Sequence, residues 1–214
     1  MSKKIILVRH AESVWNLENK FTGWADVPLT KYGEFEAKKT GQYLFKNNFI
    51  PTLTFSSIQQ RSIITSQIIL NEINRPNKII KDWRLNERHY GKLTGYNRSD
   101  VKWKGGYFDV PPNIIGKSNI NLVKVNGYNP IFGESYYMTY LRIIPFWNTV
   151  KNNIFNNDTV MICAHKNSLK VLIKEIEDID EKNINKIEVL NAIPLIYTFD
   201  NSMNLTNKLS LDKI

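Results

Sequence analysis

The sequence has 214 residues, of which 42% are hydrophobic and 23% charged, and its net charge is +9 at pH 7. This length and apolar content suffice for one sizeable domain and do not require two. The positive excess favours an anionic partner such as a phosphorylated metabolite, but no long block of like charge indicates nucleic acid. The single cysteine, Cys163, excludes an internal disulfide and suits a reducing compartment.

Hydropathy predicts neither a signal peptide nor a membrane span. The apolar run IILV near the N-terminus is too short for either, and no other run approaches the length of a membrane helix. A cytoplasmic protein with no membrane partner and no nucleic-acid partner is therefore expected.

Apolar runs alternate with amphipathic segments in the first 81 residues. The apolar runs read as buried strands, and Thr30 is a suitable N-cap for the helix that follows it. The predicted elements are a strand at residues 4–8, a helix at 31–46, a strand at 52–55, a helix at about 59–73 and a short strand at 78–81.

The same alternation returns after a long stretch, residues 82–130, that lacks clear periodicity. A helix is predicted at about 134–151, with Tyr137, Leu141 and Ile144 on its apolar face, followed by a strand at 159–164, a helix at 167–177 and a strand at 193–199. This order predicts an α/β fold, a three-layer α/β/α sandwich with a mostly parallel central sheet. The prediction is one domain, 1–214, with a long substrate-covering insertion at about 82–130.

Two predicted strands end in histidine, in ILVRH and in ICAH. Ligands of open α/β sheets bind beyond the carboxyl ends of strands, so His10 and His165 meet at one edge if these strands are neighbours. Arg9 lies beside His10, and Arg61 follows a third strand. Either histidine alone is as consistent with a structural role, but two histidines and two arginines at one edge predict a phosphate pocket.

Six longer stretches extend this pattern: LVRHAESVWNLENKFTGWADVPLTKYGEFEA, SSIQQRSIITS, WRLNERHYGKLTGYNR, GESYYMTYLRIIPFWN, AHKNSLKVLIK and IPLIYTFD. Together they resemble the histidine phosphatase superfamily, whose mark is Arg-His-Gly at the first strand. More narrowly, FTGWADVPLT and LNERHYGKLTG are similar to the 2,3-bisphosphoglycerate-dependent phosphoglycerate mutases. The resemblance spans nearly the whole chain and implies the phosphoglycerate mutase-like fold.

The resemblance implies covalent catalysis through a phosphohistidine. His10 would be the nucleophile, Glu87 the general acid and base, and Arg9, Arg61 and His165 would neutralise the phosphoryl oxygens. On sequence alone, a salt bridge to Arg88 is the simpler interpretation of Glu87. The substrate-binding positions implied are Ser13, Asn16, Thr22, Gly23, Arg88, Tyr90, Arg98, Lys104 and Asn167.

The resemblance also implies a cofactor and partners. The reaction would interconvert 3-phosphoglycerate and 2-phosphoglycerate in glycolysis and gluconeogenesis, with 2,3-bisphosphoglycerate as primer and intermediate and with no metal. The third histidine, His89, is interpreted as structural. Related mutases imply a homodimer or a homotetramer.

Four positions depart from the family pattern. Ala11 replaces the glycine after the first histidine, Lys166 replaces the glycine of AHGNS, and Lys104 with Gly105 replaces a tandem arginine pair. Lys166 either strains its loop or adds a cation. The lost arginines favour a phosphatase of the same superfamily as one alternative, and a non-catalytic phosphate-binding protein is a second.

Overall fold

A computed structural model describes residues 2–75, 78–118, 120–154 and 158–211. Within these ranges one sheet contains six strands: β1 (Lys3–Arg9), β2 (Leu53–Ser56), β3 (Ile79–Lys81), β4 (Thr159–Ala164), β5 (Pro194–Phe199) and β6 (Leu205–Leu209). Their order across the sheet is β3-β2-β4-β1-β5-β6. Strands β1 to β4 pair in parallel, whereas β5 pairs antiparallel with β1 and with β6.

Helices cover both faces of the sheet. The helices are α1 (Val14–Leu17), α2 (Lys31–Lys46), α3 (Gln60–Glu72), α4 (Tyr136–Asn153) and α5 (Lys166–Glu177), with 3-10 helices at Trp83–Leu85, Gly91–Leu93 and Glu181–Lys186. Ile6 and Val8 of β1 pack with α2 and α3 on one face, while Ile5 and Leu7 pack with α4 and α5 on the other, as the two-residue period of a strand requires. The three-layer α/β/α prediction is confirmed.

Most predicted boundaries agree with the structure to within two residues. The Thr30 hydroxyl accepts a hydrogen bond from the Gly33 backbone N–H at 2.9 Å, which confirms the N-cap of α2. Strand β6 was not predicted, because LTNKL carries little apolar character and lies exposed at the edge of the sheet.

No helix in the described ranges is long and apolar enough to cross a membrane.

The predicted apolar face of α4 is wrong. Tyr137 and Leu141 are 41% and 53% exposed, whereas Ile143, Phe146 and Trp147 are buried against β1 and β4. The α4 sequence carries apolar residues on every side of the helix, so their spacing does not indicate which face is buried. Pro145 lies inside the helix, which continues to Asn153.

Residues 82–130 pack beside the segment that follows α1. Phe21 and Gly95 are joined by a backbone hydrogen bond of 2.8 Å, and Phe21 donates to the carbonyl of Tyr96 at 2.9 Å. Phe21, Tyr90 and Leu93 form a buried cluster that anchors this stretch. The described part of this stretch places six side chains at the carboxyl edge of the sheet: Glu87, Arg88, Tyr90, Arg98, Trp103 and Lys104.

Candidate active site

The two strand-end histidines meet because β1 and β4 are parallel neighbours in register. Arg9 lies opposite Ala164, and the His10 N–H donates to the Ala164 carbonyl at 2.9 Å. The ring centroids of His10 and His165 are 4.9 Å apart. Strand β2 ends beside them, since the Ser57 N–H donates to the Cys163 carbonyl at 3.2 Å. Three strand ends therefore converge on one point.

The partners of His10 define its protonation. Its Nδ1 lies 2.7 Å from the Ala11 carbonyl, so Nδ1 carries the proton, and its Nε2 accepts from Arg61 Nε at 3.3 Å. Burial and the charges of Arg61 and Arg9 hold the pKa of His10 well below its usual value. At neutral pH the ring is therefore neutral, with the lone pair of Nε2 directed at a guanidinium.

Arg61 is fixed by two backbone carbonyls. Its Nη1 donates to Ala25 at 2.8 Å and its Nη2 donates to Gly23 at 2.9 Å. Burial lowers the pKa of Arg61 to about 10, so it stays charged at neutral pH. Gly23, a predicted substrate-binding residue, lies outside the cavity lining. Its φ of +52° favours glycine, and its carbonyl orients Arg61.

Two buried nitrogens that lack a hydrogen-bond partner in the described part of the chain belong to residues that adjoin His10 in the sequence or pack against its ring. Arg9 donates from Nη1 to Val189 at 3.0 Å, but its buried Nε has no hydrogen-bond partner in the described ranges. His165 Nε2 lies 2.7 Å from the Ser57 hydroxyl, and its buried Nδ1 is likewise without a partner there. Because unsatisfied buried polar atoms are costly, these nitrogens are suited to bind a polar ligand.

A cavity of about 600 Å³ opens at this point. Among the described residues it is lined by eight cationic side chains and three carboxylates, Glu12, Glu36 and Glu87. A site with this excess fits a ligand of several negative charges. The predicted residues that line it are Arg9, His10, Asn16, Thr22, Arg61, Glu87, Arg88, Tyr90, Arg98, Lys104 and Asn167.

Two other predicted residues lie behind the lining. His165 packs against the ring of His10 and is fully buried. Ser13 is also buried, and its N–H and hydroxyl donate to Asn16 Oδ1 at 3.1 Å and 3.0 Å. This capping leaves the Asn16 amide N–H groups as the free donors of that side chain. Ser13 therefore orients Asn16.

Glu87 does not form the salt bridge to Arg88 that its sequence suggested. Its Oε1 accepts backbone N–H groups from Arg88 at 2.8 Å and from Asn167 at 3.1 Å. In the described part of the chain, no hydrogen bond engages its Oε2. Glu87 is 7% exposed and lines the cavity, so one carboxylate oxygen is positioned and the other is available to a ligand.

The Arg88 guanidinium is instead held by aromatic rings. It lies 4.1 Å from the ring centroid of Tyr136, 4.8 Å from Trp103 and 5.2 Å from Tyr90. Arg88 is 2% exposed, and its Nε and Nη1 have no hydrogen-bond partner among the described residues. The stacking fixes the plane of a second buried cation on the cavity wall.

A buried ion pair that the sequence analysis missed holds Glu87 in place. Arg142 of α4 pairs with Glu134 at 2.7 Å, and both side chains are almost fully buried. The same guanidinium donates to the backbone carbonyls of Arg84, Asn86 and Glu87 at 2.6, 2.9 and 3.0 Å. These contacts join residues more than 50 positions apart, so no local pattern signals them.

Arg142→Met is expected to lower the free energy of unfolding by about 3–5 kcal/mol, because it leaves the Glu134 carboxylate buried and unpaired. Urea unfolding measures the change. The control is Lys31→Met, which breaks an exposed pair with Glu34 and is expected to cost at most about 1 kcal/mol. Equal losses in the two variants would contradict a structural role for the buried pair.

The departures from the family pattern have different structural consequences. Ala11 and Lys166 both have negative φ, so neither replaced glycine strains its backbone. Lys104 lines the cavity. Gly105 has a φ of +64°, and a Cβ at this position would lie 2.5 Å from the Trp103 ring.

Other lining residues absent from the prediction are Trp15, Asn19, Lys20, Trp103, Tyr136, Lys170, Asn185 and Asn191.

The sequence matches the histidine phosphatase superfamily (branch 1) over residues 5–210, so the chain belongs to this superfamily. It is 38% identical to the 2,3-bisphosphoglycerate-dependent phosphoglycerate mutase of Blochmanniella floridana, over 94% of each chain. It is 39% identical to the enzyme of the same name from Erythrobacter litoralis, over 93% of this chain and 94% of the other. Within the superfamily, the chain belongs to the 2,3-bisphosphoglycerate-dependent phosphoglycerate mutase family.

The fold is also shared with solved structures. Bacillus stearothermophilus YhfR superposes with a TM-score of 0.73 at 22% identity, covering 99% of this chain and 98% of the other. In the described ranges, no group of three or more His, Cys, Asp or Glu side chains is arranged to hold a metal ion.

Proposed function

We propose that this protein interconverts 3-phosphoglycerate and 2-phosphoglycerate through a phosphohistidine on His10. The observation that carries the proposal is the unprotonated Nε2 of His10, 3.3 Å from Arg61 Nε in a cationic cavity. A neutral imidazole beside a fixed guanidinium is suited to attack phosphorus, because the guanidinium stabilises the phosphoryl oxygens as they approach. The names of the related mutases support this substrate class.

In the first half-reaction, His10 Nε2 forms a bond to phosphorus and the bond from phosphorus to the substrate oxygen breaks. Glu87 gives its proton to that departing oxygen. Arg9 and Arg61 neutralise the phosphoryl group during transfer, and His165 Nδ1 is a buried donor beside it. Phosphohistidine transfers its phosphoryl group to the free hydroxyl of 3-phosphoglycerate, whose proton passes to Glu87, and 2,3-bisphosphoglycerate forms. His10 then takes the phosphoryl group from the other oxygen of this intermediate, Glu87 protonates that oxygen, and 2-phosphoglycerate leaves.

The cavity suits 2,3-bisphosphoglycerate as primer. This molecule carries two phosphates and one carboxylate, and the cationic side chains outnumber the carboxylates on the wall. The unpartnered nitrogens of Arg9 and Arg88 provide donors for two separate anionic groups. We also propose that residues 82–130, which supply Glu87, Arg88 and Arg98 to the wall, cover the bound substrate.

The test is to incubate the purified protein with 3-phosphoglycerate and a trace of 2,3-bisphosphoglycerate, and to measure both 2-phosphoglycerate and inorganic phosphate. The proposal expects 2-phosphoglycerate with little phosphate. Phosphate alone would replace the proposal with a phosphatase, and neither product would replace it with a non-catalytic binding protein. A cytoplasmic location stays a prediction from hydropathy and cysteine content, and a dimeric or tetrameric state stays a prediction from the resemblance.

A further inference from the structure

Lys166 is the first residue of α5 and directly follows His165. Its φ is negative, so the lysine enters the helix without the strain that a replaced glycine can cause. Of the two interpretations left open by the sequence, strain or an added cation, the backbone geometry therefore favours the cation. Lys166 therefore differs from the glycine of the family pattern only in its side chain.

The Lys166 side chain lies on the wall of the cavity beside other cations. In the described part of the chain its ammonium forms no ion pair and no hydrogen bond. Lys166 is exposed to solvent at the mouth of the cavity, and partial desolvation of its ammonium together with the charges of Arg9 and Arg98 lowers the pKa of Lys166. A cation in an electropositive cleft without a counter-ion is unfavourable until an anion binds there.

A second observation points to the same part of the wall. Arg88 is almost fully buried, and two of its guanidinium nitrogens have no hydrogen-bond partner among the described residues. Its backbone and that of Asn167 both donate to Glu87 Oε1, so Lys166 and Arg88 belong to segments joined by one carboxylate oxygen. Lys166 and Arg88, neither of which forms a salt bridge in the described ranges, therefore belong to the two segments that meet at Glu87.

Gly105 cannot supply a cation to this wall. Its positive φ disfavours other residues, and a Cβ would meet the Trp103 ring at 2.5 Å. The Gly105 carbonyl accepts a hydrogen bond from Asn185 at 2.9 Å, which fixes the loop in this form. The position that carries the second arginine in the family pattern is therefore committed to a turn and adds no positive charge to the wall.

We propose that Lys166, together with Arg88, binds the anionic group of the substrate that is not transferred, either its second phosphate or its carboxylate. The identity of the substrate rests on the proposed function, but the binding test does not. Lys166 thereby distinguishes ligands that carry two or more anionic groups from ligands that carry a single phosphate. It is a substrate-binding residue and takes no part in the transfer of the phosphoryl group.

The test measures equilibrium binding of 2,3-bisphosphoglycerate and of inorganic phosphate by calorimetry to the intact chain and its variants. Lys166→Met removes the charge and keeps the stem, and Lys166→Arg keeps the charge. We expect Lys166→Met to weaken 2,3-bisphosphoglycerate binding about 10-fold or more, with a change of less than about 2-fold for inorganic phosphate. Lys166→Arg should retain most of the affinity. Lys182→Met removes an equal charge from an exposed pair with Asp180 and serves as the matched control.

Unchanged affinity of Lys166→Met for 2,3-bisphosphoglycerate would overturn the proposal, as would equal weakening of both ligands or an equal loss in Lys182→Met. In the same titrations, 3-phosphoglycerate keeps the carboxylate with a single phosphate, whereas propane-1,2-diol bisphosphate keeps two phosphates without a carboxylate. The ligand whose affinity Lys166→Met weakens identifies the bound group. Selective weakening in a protein that does not isomerise 3-phosphoglycerate would support the subsite and contradict the proposed function, so the two failures are distinguishable.

Discussion

His10→Ala is expected to lower kcat for the isomerisation of 3-phosphoglycerate by at least about 10⁴-fold, because no covalent intermediate can form without the nucleophile. The residual rate would come from Arg9 and Arg61, which still bind a phosphate. The measurement is steady-state conversion to 2-phosphoglycerate in the presence of 2,3-bisphosphoglycerate.

Two controls separate chemistry from folding in this experiment. His10 is buried, so thermal unfolding must show that His10→Ala remains folded. His89→Asn alters a histidine that lies outside the cavity and keeps an acceptor for the Gly91 N–H. It is expected to retain activity within about 3-fold, as a substitution away from the site should. Substantial isomerisation by folded His10→Ala would contradict the mechanism.

Glu87→Gln is expected to lower kcat by about 10²–10⁴-fold, because the amide cannot exchange a proton with the substrate hydroxyl. Gln retains an oxygen that accepts the backbone N–H groups of Arg88 and Asn167, so the local structure should persist. Since the loss is chemical, KM for 3-phosphoglycerate should change much less than kcat.

The leaving group provides the control for Glu87. Transfer from p-nitrophenyl phosphate to His10 needs no proton donor, since nitrophenolate departs without one. Glu87→Gln should therefore label His10 from this compound at nearly the wild-type rate. An equally large loss with both phosphate donors would show that Glu87 positions the site and does not transfer the proton.

The cluster of histidines and arginines at the carboxyl edge of the sheet could be predicted from sequence, because their positions follow from local strand patterns. The apolar run of β1 and the fully buried β4 each end in histidine, and parallel neighbours place such ends together. The Arg61 position followed from the same rule. The roles of Glu87 and of the binding residues came from the family resemblance, since no periodicity marks residues 82–130.

The remaining features depend on long-range contacts. Arg142 reaches Glu87 across 55 positions, and α4 buries a face that its uniformly apolar sequence does not specify. Sequence alone could not decide whether Lys166 strains its loop, because that depends on a backbone angle. The salt bridge expected between Glu87 and Arg88 is absent from the structure, because three aromatic rings hold the guanidinium away from the carboxylate.

The covalent intermediate is the most direct test of the mechanism. The wild-type protein is mixed with 2,3-bisphosphoglycerate, quenched in alkali to preserve the phosphorus–nitrogen bond, digested and mapped by mass spectrometry. The mechanism predicts one phosphoryl group, carried by the peptide with His10. A phosphoryl group on the peptide with His165, or none on either, would contradict it.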